Sequence, residues 1–307
     1  MKEFTFIVNP EAGRGHGRKL LEPLRNELNS RRVDHEILVT TRAGEALGFA
    51  RNGSGPVVVA VGGDGTLNEV VNGLSAKHRA IGIVPAGSGN DFVKSLKHPR
   101  GLSDALDVIF SGKVRMVDAG IVTCTSADPD DRTVETRQRT FINGVGVGFD
   151  AAVAAKMQTL KHLSGTMVYV AAVFQTLGKY KAPIFRTNVD GVERSGTNLL
   201  IAIGNGRCAG GGFYLTPDAI IDDGQLDLCI VADLSIPKIL RLMPLVMLGR
   251  HRHVKEVTFL RAEREISISA EQKFYVHADG EVVGQGVNQV EISIRPKSIP
   301  VLAFSPR

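Results

Sequence analysis

The chain of 307 residues has no tryptophan, four tyrosines and three cysteines. So little aromatic surface leaves few platforms for stacking on nucleic-acid bases, and no nucleic-acid partner is expected. Cys124, Cys208 and Cys229 are odd in number and never spaced as CxxC. Free thiols in a reducing compartment are expected, rather than a disulfide framework. No run approaches the ~18–20 apolar residues of a membrane-spanning helix. The opening "MKEFTFIVNP" has no long apolar stretch of the signal-peptide kind. The expectation is a cytoplasmic protein, with any membrane contact peripheral and on the inner face. Two kinase signatures are also missing: the Walker loop GxxxxGK followed by Ser or Thr, and the protein-kinase set.

What is present describes a folded chain. Apolar residues make up 43% and charged residues 22%, and the length is comfortable for two domains. The net charge of +5 suits anionic partners such as nucleotides or phospholipid surfaces without choosing among them.

The first third alternates strand and helix. Strands are expected at 4–10, 34–40, 56–63 and 80–87, and helices at 17–31, 43–53 and 66–74. The continuous β-branched run "PVVVAVGG" reads as a buried parallel strand. Repeated β-α units imply a three-layer α/β domain over 1–118, with the return of 297–307 to it left open. From about residue 119 to 296 the pattern changes to strands joined by Gly- or Asp-containing turns, at 118–123, 139–148, 183–191, 197–206, 225–233, 254–262, 264–270, 273–280 and 290–296. This is a mainly-β, sandwich-like pattern, interrupted by helices at about 150–178 and 235–249. The polar stretch 126–137 reads as an exposed loop.

Chemistry concentrates in three glycine loops. "VGGDGT" (61–66) follows a buried strand and precedes a helix. Gly62, Gly63 and Gly65 free the backbone to approach a phosphate, and Thr66 is placed to cap a helix from about Leu67. Asp64 is out of place in a simple anion cradle. It must hold a metal, order the loop or take a proton. "IVPAGSGNDF" (83–92) repeats the arrangement with Ser88, Asn90 and Asp91, so the two loops are expected side by side. "NPEAGRGHGRK" (9–19) ends the first strand at Asn9 and Pro10 and offers Gly13, Arg14, Arg18 and Lys19 for clamping phosphates.

Together, "NPEAGRG", "GGDGTLNEVVNG" and "PAGSGNDF" resemble the three ordered motifs of the diacylglycerol kinase catalytic-domain family, which includes bacterial lipid kinases and the sphingosine and ceramide kinases. "FINGVGVGFDA", "GNGRCAGGGFYLTPDAIIDDGQLDL" and "HADGE" resemble its second domain, so the resemblance covers nearly the whole chain. It implies an NAD kinase/diacylglycerol kinase-like α/β domain followed by a β-sandwich, and an ATP- and Mg²⁺-dependent enzyme phosphorylating diacylglycerol or a related lipid alcohol. In the family ATP lies between the domains. By position Asn9, Pro10, Gly13, Arg14, Thr40, Gly62, Gly63, Asp64, Gly65, Thr66, Asn68, Glu69 and Ser88 would serve the nucleotide, with Ser88 standing where many members have Thr and Arg14 where some have Lys.

Glu281 of "HADGE" would be the base, with Asp64 and Asp91 also catalytic; Asp64, Asp91 and Asp118 would organise Mg²⁺ and its waters. The side chain of Asp223 and the carbonyls of Ile220 and Gln225 would hold a structural Mg²⁺. Read without the resemblance, "ADGE" and "DDGQ" are also ordinary Asp-Gly turns. The basic, apolar helix at 235–255 suits either a membrane surface or the core, and His251 and His253 read as surface histidines. A homodimer is compatible with the sequence. Two rivals remain: an NAD kinase-like enzyme with a soluble substrate, and a non-catalytic nucleotide- or lipid-binding module.

Overall fold

In the computed structural model, residues 2–74, 79–127, 134–159 and 166–304 are described. The chain divides into two compact units, Met1–Ala119 with Pro296–Arg307, and Gly120–Arg295.

The N-terminal unit is built on a parallel sheet. Strands β1 (Phe4–Val8), β2 (His35–Val39), β3 (Val57–Gly62) and β4 (Ala80–Pro85) lie in the order β2-β1-β3-β4, and the end of β13 (Glu281–Ala303) joins β4 through Val301 and Ile81. Alternate residues Phe4, Phe6, Val8, Val59 and Val61 meet Leu24 and Leu28 of α1 (Ala12–Ser30) and Leu106 and Ile109 of α5 (Leu102–Ser111) in one apolar core. The other face is covered by α2 (Glu45–Asn52) and α3 (Asp64–Leu74). Strands β1, β3 and β4 are buried on both faces, which is why β3 and β4 read as unbroken apolar runs, whereas β2 at the edge is half-buried. A short helix, α4 (Asp91–Leu96), follows the β4 loop.

The second unit is antiparallel. It contains the later part of β5 (Lys113–Ala127), β6 (Val134–Phe141), β7 (Gly144–Gly148), β8 (Ile184–Val189), β9 (Val192–Gly204), β10 (Leu226–Ala232), β11 (Val257–Ala262), β12 (Glu265–Ala278) and the first part of β13. The path β11-β10-β9-β7-β12-β13 is joined by β8, which pairs β9 and β12, and by the β5–β6 pair. Val145, Val147, Ile201, Ile203, Leu228 and Val276 face one core with Phe141, Phe185 and Val290. The alternate residues Leu200, Ala202 and Cys229 face a second core against α6 (Phe149–Thr159), α7 (Thr166–Leu177) and α8 (Ile236–Met247). Period-two alternation thus divides each central strand between a sheet-facing and a helix-facing core.

Several boundaries differ from the sequence expectation. Ser126, Ala127 and Val134–Arg137 belong to the β5–β6 hairpin, paired from Gly120↔Phe141 to Ala127↔Val134. Cross-strand pairing therefore makes strand out of a polar stretch, and residues 128–133 lie outside the described ones. The strand expected at 139–148 is broken after Phe141, because the Asp279 carboxylate turns the backbone at 142–144. The helical stretch expected at 150–178 contains α6 and α7, and its residues 160–165 lie outside the described ones.

Candidate active site

The first loop leaves β1 and enters α1 through three consecutive left-handed residues, Gly13, Arg14 and Gly15, with φ of 57°, 60° and 81°. For Arg14 this conformation costs about 1–2 kcal/mol. Gly13 allows the loop to press on the end of β4, since a Cβ there would lie 2.2 Å from the Ala86 carbonyl oxygen. Arg14 is exposed at the loop tip.

The second and third loops touch backbone to backbone. A Cβ on Gly87 would lie 2.4 Å from the Cα of Gly63, so neither position accepts a side chain without parting the loops. Asn90, left-handed at φ 50°, closes the third loop by accepting the Gly87 N–H at 3.1 Å and donating to the Gly87 carbonyl at 2.8 Å. Asp64 Oδ1 accepts the Asp91 N–H at 2.7 Å and the Phe92 N–H at 3.4 Å. Its carboxylate therefore orders the neighbouring loop by capping the free N–H groups at the start of α4. Asp91 is itself buried and paired with Lys94 at 2.7 Å. Ser88 stands exposed between them.

Thr66 does not cap α3. The helix already starts at Asp64, with the Leu67 N–H bonded to the Gly63 carbonyl at 3.0 Å. The Thr66 hydroxyl instead accepts from the Asn9 amide at 3.1 Å, tying the first loop to the second. Gly62 leaves room for it, since a Cβ there would stand 2.4 Å from that hydroxyl.

These contacts build one wall of a cleft of about 740 Å³ at the carboxyl ends of β1, β2 and β3. Of the nucleotide residues expected from sequence, Asn9, Pro10, Thr40, Gly65, Thr66 and Glu69 line it, and Thr41 and Arg42 join them. Gly13, Gly62, Gly63 and Asn68 are not among its lining residues. Asn68 is fully buried and accepts from Asn72 at 3.1 Å. Glu69 accepts the Gly44 and Ala46 N–H groups at 2.9 and 3.0 Å, so its carboxylate anchors the start of α2 as well as lining the cleft. The size and position suit a small-molecule site at strand ends.

Asp118, fully buried, accepts the Lys297 N–H at 2.6 Å. This bond fastens the C-terminal strand, so Asp118 has a structural task beside the place expected for it among the Mg²⁺-organising acids.

In the second unit Glu281 pairs with Arg139 at 2.7 Å and remains partly exposed. The Asp279–Gly280 pair forms the β12–β13 turn with both φ values positive, as the turn reading of "ADGE" expects. The Asp279 carboxylate accepts the N–H groups of Ile142, Asn143 and Gly144 at 3.0, 3.0 and 2.8 Å. Nearby, His277 faces Asp150 at 3.3 Å over Gly146, where a Cβ would collide with both. Local patterning gave no sign of this cluster, because the β7–β12 register assembles it.

The loop after β9 holds the residues expected from sequence to bind a structural cation. Asp223 Oδ1 accepts the Gln225 N–H at 3.1 Å, and Gly224 has φ 77°. Ile220 is exposed. Asp227 and Gln225 each keep a buried side-chain oxygen without a partner, Oδ2 and Oε1. Burial raises the Asp227 carboxyl above its ordinary range; Arg261 opposes this and the charge of Asp223 adds to it. Orphaned oxygens beside coupled carboxylates fit a hard cation. Among the described residues no three His, Cys, Asp or Glu side chains gather as a metal cluster.

An apolar cavity of about 100 Å³ lies between α8 and the helix-facing side of β9 and β10, lined by Phe149, Leu200, Ile239, Leu242, Met243 and Val246 among others, with only Asp150 and His251 polar. His251 is buried rather than at the surface, because Gly249 at φ 65° turns the chain inward; His253 is exposed. All three cysteines are buried thiols outside any disulfide. Burial pushes the thiols of Cys124 and Cys229 up to about 11 and about 12.

Residues 3–122 match the diacylglycerol kinase catalytic domain, and residues 143–303 match the YegS C-terminal NAD kinase beta sandwich-like domain. The chain is 30% identical over 290 residues to a diacylglycerol kinase of Staphylococcus saprophyticus, covering 92% of this chain and 90% of that enzyme. This protein belongs to the diacylglycerol kinase family. A diacylglycerol kinase of Staphylococcus aureus is equally similar at 30%, with 92% and 87% covered. Among solved structures, a diacylglycerol kinase from Bacillus anthracis has the same fold at 21% identity, with a TM-score of 0.70 over 99% of this chain and 97% of that one. A yeast NADH kinase complexed with NADH shares the fold at 11% identity and a TM-score of 0.51, over 99% and 84%. The α/β domain and the β-rich domain are those of this kinase fold, and the family makes the chain a phosphotransferase.

Proposed function

We propose that this kinase transfers the γ-phosphoryl group of ATP to the hydroxyl of diacylglycerol or a related lipid alcohol. The observation that carries the reading is the N-terminal cleft, where the Asn9–Thr66 and Asp64–Asp91 contacts unite three glycine loops at the strand ends. Arg18 and Arg42 and the hydroxyls of Thr40, Thr41 and Thr66 give this cleft the donors a triphosphate requires. Mg²⁺, when bound, neutralises phosphate charge and orients the transferred group. Asp64 and Asp91 are the carboxylates in these loops that would meet it or its waters, beside the backbone and Lys94 contacts they already make. In the second unit, Asp223 and the carbonyls of Ile220 and Gln225 would hold a structural Mg²⁺, and the orphaned oxygens of Gln225 and Asp227 support a cation there.

In the transfer step the lipid hydroxyl oxygen attacks the γ-phosphorus, the bond from that phosphorus to the β–γ bridging oxygen breaks, and ADP leaves. The hydroxyl proton passes to Glu281. Arg139 holds the Glu281 side chain, and Asp279 fixes the turn that presents it.

The apolar cavity of the second unit supports a lipid alcohol over the soluble dinucleotide of an NAD kinase. A water-soluble substrate would have little use for a cavity with two polar groups in its lining.

The test is incubation with labelled ATP, Mg²⁺ and total lipid extract, followed by identification of the labelled product. A phosphorylated lipid alcohol is expected. Glu281→Ala should abolish turnover and leave ATP binding intact. Efficient labelling of NAD, with none of lipid, would overturn the reading. ATP binding without any transfer would make the chain a binding module.

A further inference from the structure

The helix that roofs the apolar cavity has a second apolar stripe. Ile239, Leu242, Met243 and Val246 of α8 line the cavity. Ile236, Leu240 and Met247, spaced as i, i+4 and i+11, form a neighbouring stripe that Leu248 extends. These four are 42%, 37%, 48% and 64% exposed, and they are four of the eleven large apolar side chains exposed among the described residues. Single exposed apolar residues need no explanation, whereas such a concentration on one helix marks an interaction surface. Val173 of α7 lines the same cavity, and the adjacent Phe174 is exposed.

Along the segment that carries the stripe the charges have one sign. Residues 235–255 contain Lys238, Arg241, Arg250, Arg252 and Lys255 and no acidic residue. Lys238 is paired with Glu256 and Arg252 with Asp218. Arg241, Arg250 and Lys255 are exposed and form no ion pair among the described residues. A protein partner would have to supply acidic groups to match these cations, since protein–protein interfaces are depleted in charge at their core. An apolar helix stripe rimmed by unbalanced cations instead matches the boundary of an anionic bilayer, apolar in depth and negative at the surface.

We propose that α8 and the turn after it dock on a bilayer containing anionic lipid, so that the lipid substrate passes from the membrane into the cavity beneath the same helix. The passage rests on the lipid-kinase reading. The docking does not, and it is measurable without ATP.

The experiment is co-sedimentation of the full chain with phosphatidylcholine vesicles, with and without phosphatidylglycerol. The wild type should sediment with the anionic vesicles only, and less as salt rises. Leu240→Asp with Leu248→Asp, and separately Arg241→Glu with Arg250→Glu, should each weaken partitioning about tenfold or more. Melting midpoints should be unchanged, as these side chains are exposed. Turnover of vesicle-borne diacylglycerol should fall in both variants, while turnover of a water-soluble short-chain diacylglycerol stays at the wild-type rate. Failure of the wild type to sediment, or sedimentation of both variants like the wild type, would overturn the proposal. So would a wild-type dimer, by light scattering, that the Asp variants split into monomers, because a second copy would then cover the helix. Vesicle binding without phosphorylation of any lipid would uphold the docking and remove only the kinase reading.

Discussion

The carboxylate of Asp64, the acidic residue inside the GGDG turn, accepts the backbone N–H of Asp91 at 2.7 Å. An acid set among glycines thereby orders the loop after the next strand. Asp64→Ala removes the acceptor of two backbone donors and should destabilise the chain by about 1–3 kcal/mol in denaturant unfolding. Asp64→Asn retains an acceptor oxygen, and its melting midpoint should stay near that of the wild type. If the carboxylate also meets the nucleotide's metal, Asp64→Asn should lower phosphoryl transfer about a hundredfold. Transfer at the wild-type rate in Asp64→Asn would reduce its role to loop order.

The Gly63–Gly87 contact makes a second prediction. Gly87→Ala places a Cβ 2.4 Å from the Gly63 Cα and must part the two loops. A loss of about 1–3 kcal/mol is expected from overpacking. Calorimetric titration should show weakened ATP binding as well, since Gly65 and Thr66 line the cleft from the displaced loop. Gly15→Ala, at a left-handed position with φ 81° but with no atom within 4 Å of its Cβ, should cost only conformational strain, about 1 kcal/mol.

Asp279 accepts three backbone N–H groups across the turn at 142–144. Asp279→Ala strands them and should destabilise the second unit by about 3 kcal/mol or more. Asp279→Asn keeps one acceptor oxygen and should fall between the two. Urea unfolding of the three proteins measures the order, and equal stability of all three would contradict it.

Two buried histidines should make stability fall in mild acid. Burial lowers the values of His98 and His251, opposed in part by the carbonyls of Ile83 and Leu215. Each is more acidic folded than unfolded. The unfolded chain therefore takes up the extra protons as pH drops below about 6.5, and the folded state loses stability through that window. The melting midpoint should decline between about pH 7.5 and about pH 5.5. His251→Leu, which cannot titrate, should flatten the decline.

The Asp223–Asp227 loop should respond to Mg²⁺. Relief of the buried, raised Asp227 carboxyl by a cation would stabilise the folded chain by mass action. Millimolar Mg²⁺ should raise the melting midpoint of the wild type, and EDTA should reverse this. Asp223→Ala should remove the response, measured without nucleotide so that the ATP cleft plays no part.

Much of this was legible in the chain because it is local. The apolar runs at 56–63 and 80–87 mark strands covered on both faces, and the glycines after them mark turns that side chains would block. The alternation after residue 119 marks β structure for the same reason of periodicity. What failed were features whose partners are distant. Strand pairing made a hairpin arm of the polar residues 134–137, and a turn at Gly249 brought His251 inside.

Most of the strands and helices, the three glycine loops and the family motifs are written locally in the chain. Tertiary structure alone decided the partners: Asp64 with Asp91, Glu281 with Arg139, and Asp279 with the backbone at 142–144, separated along the chain by 27, 142 and 135–137 residues. Hydrophobic period and turn chemistry act over a few residues and are written locally. Which side chains meet depends on the register of strands distant in sequence, and burial of the whole core fixes that register.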